Sequence, residues 1–276
     1  MSPTFEIPVF SAAAATVAVS HGATRLEINR AGSYVAGGLT PTLEEVQAIA
    51  EDVSVPLRVM IRPRGPPSGE PDFMYSDSEF QQMRRELDAS VASGLLQAER
   101  GDGFVFGILK RDGPDRLSID VDRNRQLVEA AGPYACVFHR AFDLILGDVA
   151  AEEEGPERAL GTLRDCGFTG VLTAGGPGSH GAVDHAHSLQ KLAMAAGAVD
   201  AKNRGIEIIV GGGLRSSNVG ALAGQILAGS SKALQDAVSF HSSCLLDSAA
   251  AVAQGAEGEG VSAEEVDRIS RVLASL

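Results

Sequence analysis

The segment from Cys136 to Asp143 contains the side chains with the clearest capacity for chemistry. Its sequence is Cys-Val-Phe-His-Arg-Ala-Phe-Asp, so an apolar strand leads directly into His139, Arg140 and Asp143. Ionisable side chains are costly to bury unless they are paired, which makes such a strand end unusual for a structural core. Ligands bind at the carboxyl ends of strands in barrels and open α/β sheets. We therefore interpret this segment as one wall of a functional cleft.

Strand alternation separates the roles of these three residues. Successive side chains along a strand point to opposite faces, so His139 and Arg140 are predicted to face different ways. We expect His139 to point into the cleft and Arg140 to point toward the helices, unless a bulge turns it. Asp143 comes after the strand, where it would order the loop or hold Arg140.

The same alternation adds ionisable groups from other predicted strands. In the segments RLEIN, LRVMIRP and VSFHS, it places Glu27, Arg62 and His241 near strand ends and on inward faces. Together with His139 they resemble an active-site layer. The alternative is a structural network, in which Glu27 pairs with Arg62 while the two histidines fill space.

Glycine-rich segments after two later strands suggest an anion site. Gly211, Gly212 and Gly213 follow the seventh predicted strand, where many barrels hold a phosphate with backbone N–H groups. Thr173 and Gly175 follow the sixth strand and could supply further donors. The three glycines could instead serve only to make a tight turn from strand to helix.

A ligand with a phosphate or carboxylate group would give these residues distinct roles. His139 would be the general acid or base, with a pKa close to the working pH. Glu27 would orient His139 or act as the base itself. Arg62 and Arg64 would hold the anion.

No spacing of cysteines or histidines matches a zinc site, because Cys-x-x-Cys and His-Glu-x-x-His are both absent. Cys136, at the start of the fifth predicted strand, and Cys166, at a helix end, are interpreted as core residues. Cys244 follows the eighth strand and could reach the mouth of a barrel as a ligand or reactive thiol.

Eight strand-like segments, each followed by a helical pattern, must position these side chains. They run from residues 5–10 to residues 237–242 with no linker between them. The pattern predicts an α/β fold, a single (β/α)8 TIM barrel over residues 1–276, with a doubly wound open sheet as the alternative. Residues 254–261 are rich in Gly and Glu and are predicted to form a mobile loop before a C-terminal helix.

Composition narrows the classes of partner. The formal charge of −13 disfavours nucleic acid, because phosphate contacts dominate that affinity. No apolar run is long enough to span a membrane, so no membrane partner is expected. Three distant cysteines fit a reducing compartment, so the predicted location is cytoplasmic or nuclear. A small anionic ligand or a metal ion is the expected partner.

Several segments in chain order resemble the CutC copper-homeostasis family. They are RLEI at 25–28, GGLTPT at 37–42, MIRPRG at 60–65, DFMYSD at 72–77, VFHRAFD at 137–143, VLTAGG at 171–176, GGG at 211–213 and FHSS at 240–243. The resemblance implies a TIM barrel, a homo-oligomer and binding of copper.

The copper expectation rests on the resemblance alone. Soft thiolates suit Cu(I), and members of the family often have cysteines in strand one, after the glutamate of strand two, and shortly before the tyrosine of the DFMYSD motif. In this chain those positions are occupied by Pro8, Val9, Asn29 and Met74.

Two functions are therefore predicted. The first is a copper-binding homeostasis protein, with donors among Met60, Met74, His139, His241 and Cys244. The alternative is an uncharacterised TIM-barrel enzyme or binding protein for a small metabolite that bears a phosphate or carboxylate.

Overall fold

Eight parallel strands close into a barrel in the computed structural model, which describes residues 2–113, 116–149, 155–177, 181–197, 205–246 and 259–276. The barrel strands are β1 (Phe5–Val9), β2 (Arg25–Ile28), β3 (Leu57–Met60), β4 (Gly103–Phe106), β7 (Ala135–Phe138), β8 (Gly170–Thr173), β9 (Glu207–Gly211) and β10 (Val238–His241). Around the ring the order is β1-β10-β9-β8-β7-β4-β3-β2. The predicted (β/α)8 barrel is confirmed, and the open-sheet alternative is wrong.

Helices in the described residues lie between the strands and after the last of them. Two of the helices, those that follow Thr42 and Ser76, begin with capping boxes that satisfy the first free N–H groups. None of the helices in this part of the chain is long and apolar enough to cross a bilayer. The helices are α1 (Ala12–Ser20), α2 (Leu43–Ala50), α3 (Asp77–Ala92), α4 (Val121–Ala131), α5 (Ala141–Val149), α6 (Gly155–Cys166), α7 (Ala186–Gly197), α8 (Val219–Ile226), α9 (Lys232–Asp236) and α10 (Ala263–Ala274).

Two features differ from the simple strand–helix alternation. A short antiparallel hairpin, β5 (Leu109–Arg111) with β6 (Leu117–Ile119), stands between the fourth barrel strand and its helix. Of the loop predicted over residues 254–261, residues 254–258 lie outside the described residues. Glu259, just beyond them, accepts hydrogen bonds from the amides of Gly32 and Tyr34, both at 2.7 Å.

Inward-facing side chains divide the barrel interior into an apolar sector and a polar sector. The outward-facing residues of each strand, such as Val59 and Ile61 on β3, pack under the helices in the main core. The polar sector lies on β10, β1, β2 and β3. The apolar sector is a separate cluster made of Met60, Val105, Val137, Leu172 and Ile209.

Arg25 lies at the centre of the polar sector and links four strands. Its Nε donates to Glu6 on β1, and its Nη1 donates to both carboxylate oxygens of Glu207 on β9, at 3.0 and 3.1 Å. Its Nη2 donates to the Ser239 hydroxyl on β10 at 3.2 Å. Every nitrogen of this buried guanidinium is therefore hydrogen-bonded, which is the condition for burying a charge without a large penalty.

Candidate functional site

A cavity of about 290 Å³ opens at the carboxyl end of the barrel, and we call it the mouth pocket. The sequence-predicted residues that line it are Glu27, Arg62, His139, Arg140, Gly212, Gly213 and His241. Strand alternation positions most of them, as predicted, because the outward neighbours of Glu27 and His139 are apolar and buried under helices. Arg64, Asp143, Thr173, Gly175 and Gly211 do not line this cavity.

Glu27 is buried on β2 and uses only one of its carboxylate oxygens. Its Oε1 accepts a hydrogen bond from Asn29 Nδ2 at 3.0 Å, whereas its Oε2 is buried with no hydrogen-bond partner among the described residues. Burial raises the pKa of Glu27 above its usual value, and attraction to His241 offsets only part of that effect. Glu27 is therefore a carboxyl group poised to hold a proton in the pocket.

His241 is held by a carboxylate that sequence analysis did not single out. Its Nδ1 lies 2.8 Å from Glu6 Oε1 on β1. Burial alone would raise the pKa of Glu6, but Arg25 and the hydrogen bond from His241 lower it to about 2. Burial would lower the pKa of His241, but the hydrogen bond with Glu6 and the nearby carboxylates raise it. The pair therefore favours a carboxylate beside an imidazolium.

The same cluster contains the candidate metal ligands. One donor atom each from Glu6, Glu27 and His241 lies within 4.8 Å of the other two. Two of these residues are already bonded to each other, and Arg25 forms an ion pair with Glu6. The sequence did contain a signal for Glu6. It is the charged residue in the otherwise apolar segment Phe5–Val9, two residues before Pro8 and on the same face of the strand.

His139 is buried at the inner wall of the pocket in one tautomer. The Ala141 amide donates to its Nδ1 at 3.3 Å, so the ring proton lies on Nε2. In the part of the chain that the structure describes, this Nε2 is buried without an acceptor. Burial and the nearby Arg62 guanidinium lower the pKa of His139 to about 3. The prediction of a pKa near the working pH is therefore wrong, and His139 is a neutral hydrogen-bond donor.

Gly107 and Phe73 enclose the His139 ring from two sides. A Cβ at Gly107 would lie 2.8 Å from His139 Nδ1, so only glycine leaves room for the ring. The Phe73 ring lies 4.5 Å from the His139 ring and 5.1 Å from the Arg62 guanidinium carbon. Phe73 adopts φ 65°, which is unusual for a bulky residue and marks local strain at the pocket wall.

Arg62 forms its ion pair with Asp72 rather than with Glu27. Its Nη2 donates to Asp72 at 2.7 Å, and its Nη1 donates to the carbonyls of Ala36 and Gly38. Its Nε is buried with no hydrogen-bond acceptor in the described part of the chain. Within the described residues, the Glu27–Arg62 pair considered from the sequence does not form. Asp72 was missed because it lies in the long loop rich in Pro and Gly, whose path no periodicity defines.

Arg64 does not reach the pocket, so the predicted role as an anion clamp is wrong. Its Nε donates to Glu79 on α3, and its Nη2 donates to the Met74 carbonyl at 2.7 Å. The strand β3 ends at Met60, before alternation could turn Arg64 inward.

Arg140 lines the pocket, whereas Asp143 and Thr173 do not. The expectation that it faces the helices is wrong, because β7 ends at Phe138 before alternation reaches it. Its Nε donates to Asp143 at 2.8 Å, as predicted for a residue that holds Arg140. Asp143 also accepts hydrogen bonds from the Thr173 hydroxyl and from the Ala174 amide at 3.0 Å.

The glycine turn after β9 lines the pocket. Gly212 and Gly213 have φ of 119° and 69°, a region that favours glycine, and both line the cavity. Among the described residues, nothing accepts a hydrogen bond from either amide. Gly211 remains in the strand, where a Cβ would lie 2.7 Å from Leu172. Gly175 instead donates to the Thr173 hydroxyl at 2.8 Å.

The three cysteines are buried and lie apart from the pocket lining. Cys136 belongs to the core at the start of β7, and Cys166 ends α6, as predicted. Cys244 does not reach the mouth, and its Sγ lies 3.5 Å from the Ser242 hydroxyl. Burial raises the pKa of Cys136 to about 12 and the pKa values of Cys166 and Cys244 to about 11. All three are therefore thiols rather than thiolates at neutral pH.

Comparison with known sequences identifies close similarity to one family. A sequence model of the CutC family matches residues 4–233. A CutC family protein of Chromobacterium violaceum is 32% identical over 271 residues, which make up 98% of this chain and 93% of that protein. The copper homeostasis protein cutC homolog of Mus musculus is 33% identical over 214 residues, covering 78% of this chain and 66% of that protein.

Comparison with solved structures supports the fold. A CutC protein from Streptococcus agalactiae gives a TM-score of 0.64 at 23% identity, covering 87% of this chain and 98% of that one. The N-(5'-phosphoribosyl)anthranilate isomerase from Pyrococcus furiosus gives 0.55 at 14% identity, covering 99% of this chain and 100% of that one. At these identities the likeness concerns the barrel architecture alone.

Proposed function

The chain belongs to the CutC family, and on that premise we propose that its mouth pocket binds a small organic anion through a phosphate or carboxylate group. Members of the family are named for copper homeostasis. The chemistry of the pocket lining supports an organic anion better than a soft metal ion.

The observation that carries this proposal is a set of buried polar atoms without partners around one cavity. Leaving a buried polar group unpaired costs about 1–3 kcal/mol, so such atoms are uncommon unless something else satisfies them. A ligand in the pocket would satisfy several at once. The unpaired atoms on pocket-lining residues are Glu27 Oε2, Asn29 Oδ1, Arg62 Nε and His139 Nε2.

The charges around the outer part of the pocket favour an anion. His241 is a cation while its raised pKa keeps it protonated, and Arg140 contributes a guanidinium at the lining. The amides of Gly212 and Gly213 add two neutral donors at the turn where many barrels bind phosphate. Hydrogen bonds from charged donors to an anion are the strong ones in proteins.

Glu27 is the better candidate than His139 to carry a proton in this pocket. The raised pKa of Glu27 brings its titration toward neutral pH, whereas the lowered pKa of His139 takes it away. In this proposal His139 donates a hydrogen bond from Nε2, and Glu27 accepts or releases the proton. No reaction is assigned to the pair.

A thiolate site for Cu(I) does not fit the residues present. Soft copper prefers thiolate and thioether donors, but the three cysteines are protonated and do not line the pocket. Met60 is the sulfur donor at the lining, beside the imidazoles of His139 and His241. We derive no step that involves copper.

Binding of anions to the purified protein tests the proposal. The probes are inorganic phosphate, n-propyl phosphate, glycerol 3-phosphate, succinate and malate, measured by thermal shift and then by calorimetry. We expect at least one to stabilise the protein in proportion to its concentration, as mass action requires. Arg140→Gln should weaken that binding by about tenfold or more. Arg84→Gln, on the exposed face of α3, is the matched control. The proposal fails if no probe binds the wild type, or if both variants bind equally.

A further inference from the structure

Beneath its cationic rim, the inner wall of the mouth pocket combines unsatisfied donors with an unsatisfied carboxyl oxygen. His139 Nε2 carries a proton because its Nδ1 accepts one from Ala141. Arg62 Nε also carries a proton, and within the described residues neither nitrogen has an acceptor. Glu27 lines the same cavity, and its Oε2 forms no hydrogen bond in the part of the chain that the structure describes.

An anionic oxygen satisfies this wall only while Glu27 is protonated. A phosphate or carboxylate oxygen accepts hydrogen bonds from His139 and Arg62, and from Glu27 when that carboxyl holds a proton, but it repels Glu27 whenever that carboxyl is ionised. An ammonium group donates only, so it leaves the two nitrogens unpaired. A methyl group leaves all three atoms unpaired. A hydroxyl group donates and accepts at once, and it suits Glu27 in either protonation state.

Glu27 is held in place for such a contact. Asn29 Nδ2 donates to Glu27 Oε1 at 3.0 Å and to the Glu27 carbonyl at 3.3 Å, which fixes both side chains. The oxygen that remains free is therefore Oε2. Asn29 is in this sense a positioning residue, because it directs the unpaired oxygen away from itself.

We infer that the anion bound in the mouth pocket carries a hydroxyl group, and that Glu27 Oε2 recognises this hydroxyl. The inference rests on the proposed anion binding and narrows it to hydroxylated phosphates or carboxylates. Glu27 lies on β2 and the Gly212 turn follows β9, with β1 and β10 between them around the ring. The two ends of the ligand would thus contact different sectors of the barrel.

Matched pairs of probes separate this inference from the proposal beneath it. n-Propyl phosphate and glycerol 3-phosphate have the same charge and chain length, and only the second has hydroxyl groups. Succinate and malate form the corresponding carboxylate pair. A site built to bond a hydroxyl discriminates strongly against the analogue that lacks it, because its own polar groups are then left unpaired. We expect the wild type to bind the hydroxylated member of one pair at least about tenfold more tightly in calorimetry.

Variants at Glu27 test which residue recognises the hydroxyl. Glu27→Met should bring the preference to within about twofold. Glu129→Met, which removes one exposed carboxylate from α4, should behave as the wild type. Glu27→Gln retains an acceptor for Asn29 and covers the case in which Glu27→Met does not fold. In Glu27→Gln the preference should fall by about threefold or more.

The outcomes are distinguishable. If the wild type binds neither member of either pair, the proposed anion binding fails and this inference fails with it. If it binds both members equally, anion binding stands and the hydroxyl inference is overturned. If the wild type prefers the hydroxylated probe and both Glu27 variants keep that preference, the role of Glu27 is overturned.

Discussion

Glu6 and Glu27 are two inward carboxyl groups on neighbouring strands, and they have opposite environments. Both oxygens of Glu6 are bonded, one to Arg25 and one to His241, and these contacts lower its pKa to about 2. Glu27 has one bonded oxygen and one free oxygen, and burial raises its pKa. The barrel interior therefore contains one carboxyl group whose charge is fully compensated and one whose charge is not.

The contrast extends to two buried arginines of the barrel, Arg25 and Arg62. Every nitrogen of Arg25 is bonded inside the polar sector, whereas the Nε of Arg62 is left unpaired at the mouth. Buried polar networks stabilise a fold only when their members are satisfied. The Arg25 region thus has the properties of a structural network, and the mouth pocket has the properties of a ligand-binding site.

Removing the charge of each carboxyl group is the strongest test of that difference. We expect Glu6→Gln to lower the free energy of unfolding by about 3–5 kcal/mol, because Arg25 and His241 lose their charged partner in a buried setting. Glu27→Gln should change it by less than about 1 kcal/mol, because the charged form is already disfavoured there. Urea denaturation at pH 7 measures both, with Glu129→Gln as the surface control. Equal losses in the two variants would contradict the comparison.

The next largest effect is expected for the stability of the protein in acid, which should depend on His139 in the mouth pocket. Its folded pKa of about 3 lies below the unfolded value of 6.5, so the unfolded state takes up the proton first as the pH falls. The stabilising contribution of neutral His139 is complete above pH 6.5 and is lost as the pH falls toward 3. This predicts a loss of about 1.4 kcal/mol per pH unit below 6.5.

The measurement is the unfolding free energy of wild type and His139→Gln at pH 7, 6 and 5. The wild type should lose more stability than the variant over this range, by about 2 kcal/mol in total. Parallel slopes in the two proteins would show that His139 is not buried as a neutral ring.

The pH dependence of anion binding should report on His241. Because its pKa is raised, His241 is a cation below that folded pKa and neutral above it. Affinity for succinate, whose carboxylates are already ionised near neutral pH, should therefore fall, by up to about tenfold, as the pH rises through the His241 pKa. In Glu6→Gln this fall should move to lower pH, since the hydrogen bond that raises the pKa is weakened. An affinity that does not depend on pH between 6 and 9 would argue against a role of His241.

The smallest effect is expected for the cysteines. A triple Cys136→Ser, Cys166→Ser, Cys244→Ser variant should match the wild type in anaerobic competition for Cu(I) against a strong chelator. The reason is that the three thiols are protonated and do not line the mouth pocket. If the triple variant lost a Cu(I) binding that each single variant kept, the result would support a thiol site.

Sequence patterns predicted the barrel and much of its inner surface because both depend on local periodicity. Glu27 lies within β2 and His139 follows β7 by one residue, and both alternate with apolar neighbours, so alternation predicts their inward direction. Arg140 lies beyond the end of β7, where alternation no longer applies, and the prediction of its direction was wrong.

The parts that could not be predicted depend on contacts between distant segments. Asp72 pairs with Arg62 only because an irregular loop returns to the mouth, and no sequence period describes that path. The low pKa of His139 arises from complete burial beside Arg62, which appears only in the closed barrel. Whether an inward charge is satisfied or left free is likewise a tertiary property, as Glu6 and Glu27 illustrate.

The bonds of Arg25 also bear on how the ring closes during folding. Its contact with Glu6 spans 19 residues, whereas those with Glu207 and Ser239 span 182 and 214 residues. Contacts of such long sequence separation carry a large loop-closure cost and form slowly. A growing chain can make the first contact soon after synthesis of β2, but it must wait for β9 and β10 to complete the rest. We therefore expect the Arg25 guanidinium to complete its hydrogen bonds, and to stabilise the closed ring, only when β9 and β10 dock.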